Sequence, residues 1–237
     1  MNEIDKLKQI IEKSDNIVFF GGAGVSTASG IPDFRSTDGL YNQKYKYNPE
    51  TILSHTFFVD NTKEFYEFYF DKMIYLNAKE NYCHLKLKEL ESTGKLKGII
   101  TQNIDGLHQK AGSKKVYELH GSVHRNYCTK CNKFYSLDYM INNKDNLICS
   151  CGGIIKPDVV LYEEALDDYT INKSIELIEK ADTLISGGTS LNVYPAAGLI
   201  NYFKGNNLIL INKDKTKYDY MATLVINDDI NEVFKNI

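Results

Sequence analysis

Four cysteines carry the clearest chemistry in the chain. Cys128 and Cys131 form a C-x-x-C pair, and seventeen residues later Cys149 and Cys151 form a C-x-C pair. Two such pairs can close a tetrahedral thiolate cage around zinc with bonds of about 2.3 Å, and four protein ligands leave no open position for a substrate. A structural metal is expected. The short C-x-C turn leaves less backbone to wrap the ion, so His124 stands as a reserve ligand should Cys151 fall away. The fifth cysteine, Cys83, is isolated in sequence and reads as packing.

A second kind of chemistry is suggested by glycines. Gly21-Gly22-Ala23-Gly24-Val25-Ser26-Thr27 follows the apolar run Ile17 to Phe20. Glycines there let backbone N–H groups approach a pyrophosphate. Thr27 occupies the place of a third glycine and no acid follows a second strand at the usual distance, so an ordinary dehydrogenase fits poorly. By itself the run reads equally well as a tight turn. Phe34 and Arg35 follow in the loop Gly30 to Ser36, an aromatic lid beside a guanidinium that can meet phosphate or ribose. Gly187-Gly188-Thr189-Ser190-Leu191 is a second Gly-rich turn with hydroxyls, and Asn212 ends the run Leu208 to Ile211. Both suit the adenosine half of a dinucleotide.

Polar groups collect at two further run ends. Thr101-Gln102-Asn103-Ile104-Asp105-Gly106-Leu107-His108 comes directly after Leu96 to Ile100, so that Asn103 and Asp105 can converge on one ligand while Ile104 packs against it. For a single Asn or Asp a helix cap is the simpler reading. His120 lies between Val116 to Leu119 and Gly121. An imidazole with an ordinary pKa of about 6.5 is suited to accept a proton near neutral pH. His55, His84 and His108 read as packing or hydrogen-bonding residues.

These residues need a scaffold that gathers strand ends. Ile4, Leu7, Ile10 and Ile11 share one helical face ahead of Ile17 to Phe20. Further short apolar strands are expected at Leu96 to Thr101, Val116 to Leu119, Val159 to Tyr162, Thr183 to Ser186, Leu208 to Ile211 and Thr223 to Ile226, with helical patterns between several of them. Such alternation predicts an α/β fold with a Rossmann-like, mostly parallel sheet. Two segments break the rhythm. One is rich in aromatics from Thr37 to Asn77, and the other holds the four cysteines from Ser122 to Ile155. Residues 1–36, 78–121 and 156–237 are therefore expected to form the large domain. A helical insert, 37–77, and a zinc-binding module, 122–155, would form the small one, with the ligand cleft between the two.

Composition narrows the class. The 237 residues are 43% apolar and 25% charged, with four prolines and a net charge of -3. This describes an ordinary folded protein without the strong field of a nucleic-acid or membrane-surface binder. The segment Gly121 to Lys156 carries five Lys/Arg against two Asp, too modest an excess to favour a zinc-ribbon nucleic-acid module. No apolar leader or membrane-spanning run is visible, and a cytoplasmic location is expected.

In order, GAGVSTASGIPDFR, TQNIDGLH, ELHG, the cysteine module, KPDVVLYEE and GGTSLNVYPAA resemble the sirtuin family of NAD-dependent protein deacylases, and the bacterial branch in particular. The resemblance spans nearly the whole chain. It implies removal of acetyl or other acyl groups from protein lysines, giving nicotinamide, O-acetyl-ADP-ribose and free lysine. It implies NAD contacts at Ala23, Thr27, Arg35, Gln102, His120, Gly188, Thr189, Ser190, Asn212 and Ile230, and a nicotinamide enclosure of Phe34, Ile104 and Asp105. His120 would be the general base, with Asn103 placing ribose or water as the second catalytic residue. An acetylated peptide would lie extended between Val160 to Tyr162 and Leu191 to Tyr194, with nicotinamide acting as both product and inhibitor. An NAD-dependent mono-ADP-ribosyltransferase would use most of the same residues. The chain departs from the family pattern in Tyr162-Glu163-Glu164, where many members have Phe-Gly-Glu, in the C-x-C pair, and in Glu80, where proline is common. Tyr69 and Lys72 occupy the spacing of the Tyr-x-x-Arg pair of members that prefer acidic acyl groups. Lysine lacks the planar fork of arginine, so an apolar acyl pocket is expected.

Overall fold

The computed structural model describes residues 2–34, 39 and 46–237. The expectation for Arg35 lies outside them. The chain starts with helix α1, Glu3–Lys13, whose N-cap Asn2 accepts a hydrogen bond from the Asp5 N–H and whose buried face is Leu7 and Ile11. Strand β1, Ile17–Gly21, is buried along its whole length. Five more strands join it: β2, Leu96–Thr101; β3, Val116–Glu118; β7, Thr183–Gly187; β8, Asn207–Ile211; and β9, Leu224–Ile226. The order is β3-β2-β1-β7-β8-β9, and every neighbouring pair is parallel.

Alternation along β1 shows why both faces are apolar. Phe19 packs with Leu7, Leu87, Ile99, Ile185, Val233 and Phe234, beneath α1, α5 (Tyr82–Ser92) and α9 (Ile230–Lys235). Its neighbours Val18 and Phe20 pack on the opposite face with Ile178, Leu184, Leu199, Ile200 and Leu208, under helix α8, Asp168–Lys180, and the 3-10 segment Ala196–Tyr202. A parallel sheet covered on both faces needs near-continuous apolar strands.

The aromatic stretch forms α2, Pro49–Ile52, α3, His55–Asp60, and α4, Thr62–Lys72. Its Phe57, Phe58, Phe65, Tyr66, Phe68 and Tyr69 are buried in one cluster with Val123, Tyr135, Leu137, Met140 and Ile155 of the cysteine-bearing segment. That segment contributes β4, Gly121–Cys128, β5, Phe134–Ser136, and α7, Leu137–Asn142. With β6, Ile155–Val159, they build a three-stranded antiparallel sheet in the order β5-β4-β6. The Tyr66 hydroxyl donates to the Ile155 carbonyl and ties α4 to this sheet.

One expected strand is misplaced. Val159 to Tyr162 reads as a buried strand of the parallel sheet, but the strand is Ile155–Val159 and belongs to the antiparallel one. Beyond it the backbone turns away: Val160 N–H donates to the His120 carbonyl, and Tyr162 pairs with the segment around Ser54. The two sheets are joined by Arg125, which holds Glu118 of β3 at 2.6 Å and Asp158 of β6 at 2.7 Å. Among the described residues no helix is long and apolar enough to cross a membrane.

Candidate active site

From β1 the sheet proceeds to β2 on one side and to β7 on the other, so the crevice outside the carboxyl ends of β1 and β7 is a topological switch point. Gly21 and Gly187 lie in register at that edge. The two Gly-rich turns then lean on each other: Gly22 N–H donates to the Gly187 carbonyl at 3.2 Å and Gly24 N–H to the Gly188 carbonyl at 2.8 Å. A Cβ on Gly24 would stand 2.8 Å from the Gly188 Cα. These glycines are required first for turn-to-turn packing, and the turns so packed leave their outer edge to the cleft.

The cleft holds about 480 Å³, within the range of small-molecule sites. Ala23, Phe34, Gln102, Asn103, Ile104, Asp105, His120, Gly188, Thr189, Ser190 and Asn212 all line it. All but Phe34 come from the ends of β1, β2, β3, β7 and β8. Two expected residues do not. Thr27 turns inward and its hydroxyl donates to the Gly24 carbonyl at 3.0 Å. Ile230 is 3% exposed, packed in the core against the space a Gly187 Cβ would occupy, because it opens α9 beneath the sheet.

His120 lies two residues past the end of β3. Its Nδ1 lies 3.0 Å from the Gln102 carbonyl. A carbonyl only accepts, so Nδ1 bears the proton and Nε2 keeps its lone pair. Burial pushes the imidazole below its ordinary pKa, with the Gln102 bond opposing in part. The neutral, proton-accepting form is therefore favoured at neutral pH. The Gln102 side chain in turn donates to the Thr189 hydroxyl at 3.2 Å, linking the β2 and β7 turns.

Ser26 was not singled out from sequence and proves to be a hub. Its hydroxyl, in a residue only 1% exposed, donates to Asp105 Oδ2 at 2.7 Å and accepts from Asn103 Nδ2 at 3.1 Å. Asp105 Oδ1 accepts the Leu107 N–H at 2.9 Å, which holds the Asn103 to Gly106 loop closed. Asn81, also missed, caps α5 by accepting the Cys83 N–H. Its Nδ2 donates to the Val25 carbonyl at 2.7 Å and to the Ser29 hydroxyl at 3.0 Å. An asparagine ahead of a helical pattern was a visible cap signal; its second grip on the glycine turn was not.

The remaining histidines divide by environment. His84 and His108 are buried with ring centroids 4.7 Å apart. Burial lowers both, His84 to about 4 despite the nearby Asp105 and Glu80. His55 Nδ1 meets Glu164 at 2.9 Å. His124 Nε2 lies 3.1 Å from the Asp105 carbonyl, so this ring buttresses the site loop and is not the reserve metal ligand considered above. Part of the cleft is apolar, lined by Leu53, Met73, Leu76, Val159 and Leu161, with Lys72 also in the lining and paired to Asp71 at 2.9 Å.

The four cysteine sulfurs all lie within 4.8 Å of one another, with Cys128 to Cys151 at 3.4 Å and Cys131 to Cys149 at 3.6 Å. Tetrahedral zinc with bonds of about 2.3 Å sets sulfurs roughly 3.8 Å apart, so this donor set fits one zinc ion and the short C-x-C turn does not exclude Cys151. The Tyr135 hydroxyl donates to Cys149 Sγ at 3.0 Å, a second-layer contact of the sort that orients a ligand.

Residues 22–195 match the Sir2 family model, most of the chain and all of the site from the first glycine turn to the second. The chain belongs to the Sir2 family. An NAD-dependent protein deacetylase of Clostridium acetobutylicum is 59% identical over 100% of this chain and 98% of its own. A solved Sir2 bound to acetylated peptide is 36% identical, with a TM-score of 0.89, covering 99% of this chain and 96% of the other. A second, a Sir2 with a p53 peptide and NAD+, is 38% identical, with a TM-score of 0.88 and the same coverage. In this sirtuin the motif residues and the glycine turns converge on one crevice.

Proposed function

We infer that the chain is an NAD-dependent protein-lysine deacetylase. The observation that carries this reading is the juxtaposition, in one cleft at the switch point, of a neutral imidazole with Nε2 available, the Asn103–Ser26–Asp105 hydrogen-bond chain and an apolar chamber beside them. Its relatives' activity and their peptide complex support it.

NAD+, when bound, would supply the ribose whose hydroxyl takes the acyl group from lysine, with nicotinamide as the leaving group. The chain's own residues have separable tasks. His120 Nε2 accepts a proton from a ribose hydroxyl, and the Gln102 carbonyl keeps the imidazole in the tautomer that can do so. Asp105 is held by Ser26 and the Leu107 N–H, so its loop would meet the carboxamide, and the cleft-lining Phe34 and Ile104 would cover the nicotinamide ring and exclude water. Asn103 orients ribose or water. The apolar chamber takes the acyl-lysine stem and methyl group. The four-cysteine zinc site is structural, since all its positions are filled by protein.

We further propose that the large domain is the parallel sheet with the core clusters on its two faces, that the small domain is the cluster of the aromatic and cysteine-bearing segments, and that the protein works in the cytoplasm, a reducing compartment that keeps the four thiols available for zinc. Mass spectrometry of products from acetyl-lysine peptide and NAD+ tests the reading. Deacetylated peptide with O-acetyl-ADP-ribose is expected; an ADP-ribosylated protein or peptide in its place would overturn it.

A further inference from the structure

The segment Val160 to Glu164 lines the cleft and is held by contacts from outside its own strand. Tyr162 N–H donates to the Leu53 carbonyl at 2.9 Å, and its own carbonyl accepts the His55 N–H at 3.0 Å. Glu164 receives Lys156 Nζ and the Leu161 N–H, both at 2.9 Å. Between them Glu163 adopts φ +75, in the left-handed region that favours glycine. Its Oε2 accepts two hydrogen bonds from one residue, the Thr56 N–H at 2.9 Å and the Thr56 hydroxyl at 2.7 Å. The first three N–H groups of α3 are thereby satisfied by Tyr162, Glu163 and the N-cap Ser54.

A backbone shape costly for a side chain is retained here together with a side chain that bonds across to another element. We propose that Glu163 is a positioning residue for the acyl-lysine substrate. Its carboxylate latches this cleft-lining segment to α3, so that the segment is held in its binding conformation before the substrate arrives. Holding a loop in advance removes an ordering cost from association. The carboxylate is spent on Thr56 and acts through the loop, with no contact to the reacting atoms. The proposal rests on the deacetylase reading and adds a residue that controls substrate affinity.

Three variants test it, Glu163→Gly, Glu163→Gln and Thr56→Val, each checked by thermal melting and measured with an acetyl-lysine peptide and with NAD+. Glu163→Gly relaxes the backbone and removes the latch, so the peptide KM is expected to rise about fivefold to tenfold, with kcat and the KM for NAD+ within about twofold. Amide exchange of residues 161–164 should accelerate in the same variant. Glu163→Gln retains an acceptor oxygen and should stay near the parent, and Thr56→Val should move the peptide KM in the same direction by less. An unchanged peptide KM in Glu163→Gly would overturn the proposal, as would losses of kcat and of NAD+ affinity in step with it. Should the unaltered chain fail to bind acetyl-peptide in calorimetry, the functional reading falls and the proposal with it. Faster exchange without a change in peptide KM would leave the latch real and refute its role.

Discussion

At position 120 one carbonyl decides which nitrogen is the base. Because Gln102 O takes the Nδ1 proton and burial lowers the imidazole, the acid limb of kcat should lie below the ordinary histidine value of about 6.5. The base works deprotonated, so activity should persist to lower pH than an exposed imidazole allows; a limb at or above 6.5 would contradict this. His120→Ala should lower kcat about a hundredfold or more while NAD+ binding, read by calorimetry, survives. Retention of a tenth of the activity would mean another base. Ser26→Ala strands Asp105 and Asn103 together and is expected to cost about tenfold in kcat/KM, to weaken nicotinamide inhibition and to lower Tm by a few degrees. Acyl choice is also a residue-scale matter. Lys72 is already paired to Asp71 beside Met73 and Leu76, so acetyl-lysine should exceed succinyl-lysine by at least about tenfold in kcat/KM, roughly 1.4 kcal/mol. Comparable rates on the succinyl peptide, abolished by Lys72→Ala, would show that the lysine grips the carboxylate after all.

At the scale of elements, strand ends do the positioning, and their legibility in sequence was uneven. Apolar runs ending in glycine or polar clusters marked β1, β2, β7 and β8 closely, because a strand buried on both faces has few polar residues to blur it. The run Val159 to Tyr162 has the same look, yet its neighbours in space, His120 and Ser54, belong to segments far away in sequence, and no local pattern reveals that. Ser26 and Asn81 escaped notice for a related reason: each side chain bonds across elements, while its spacing announces only a turn or a cap. Ile230 was carried over from the family pattern and lies in the core. The cysteine spacing, by contrast, is a local constraint and was readable outright. Zinc content should be one ion per chain, and Cys151→Ala should lose most of it and lower Tm. Full occupancy with unchanged melting would exclude that thiolate as a ligand.

Across the whole molecule, two sheets are stitched together by Arg125, and a buried histidine pair lies beside Phe19 of the parallel one. His84 falls to about 4 in the folded protein and His108 is also lowered, so the unfolded chain binds more protons once pH drops below about 6.5. The stability present above 6.5 should be lost between there and about 4, by up to about 1.4 kcal/mol per pH unit for each histidine. Urea midpoints at pH 7 and 5.5 measure this, and equal midpoints would show that both rings charge freely in the fold. The strand order has a consequence in time as well as in space. β1 leaves the ribosome well before its partner β7, which follows only after the whole cysteine module has been made. The zinc cage is closed by residues close in sequence and can form while β1 still waits with one edge bare. Nascent chains of this protein would therefore hold metal before they can hold a dinucleotide, and through that interval an apolar strand edge stands open to misassembly.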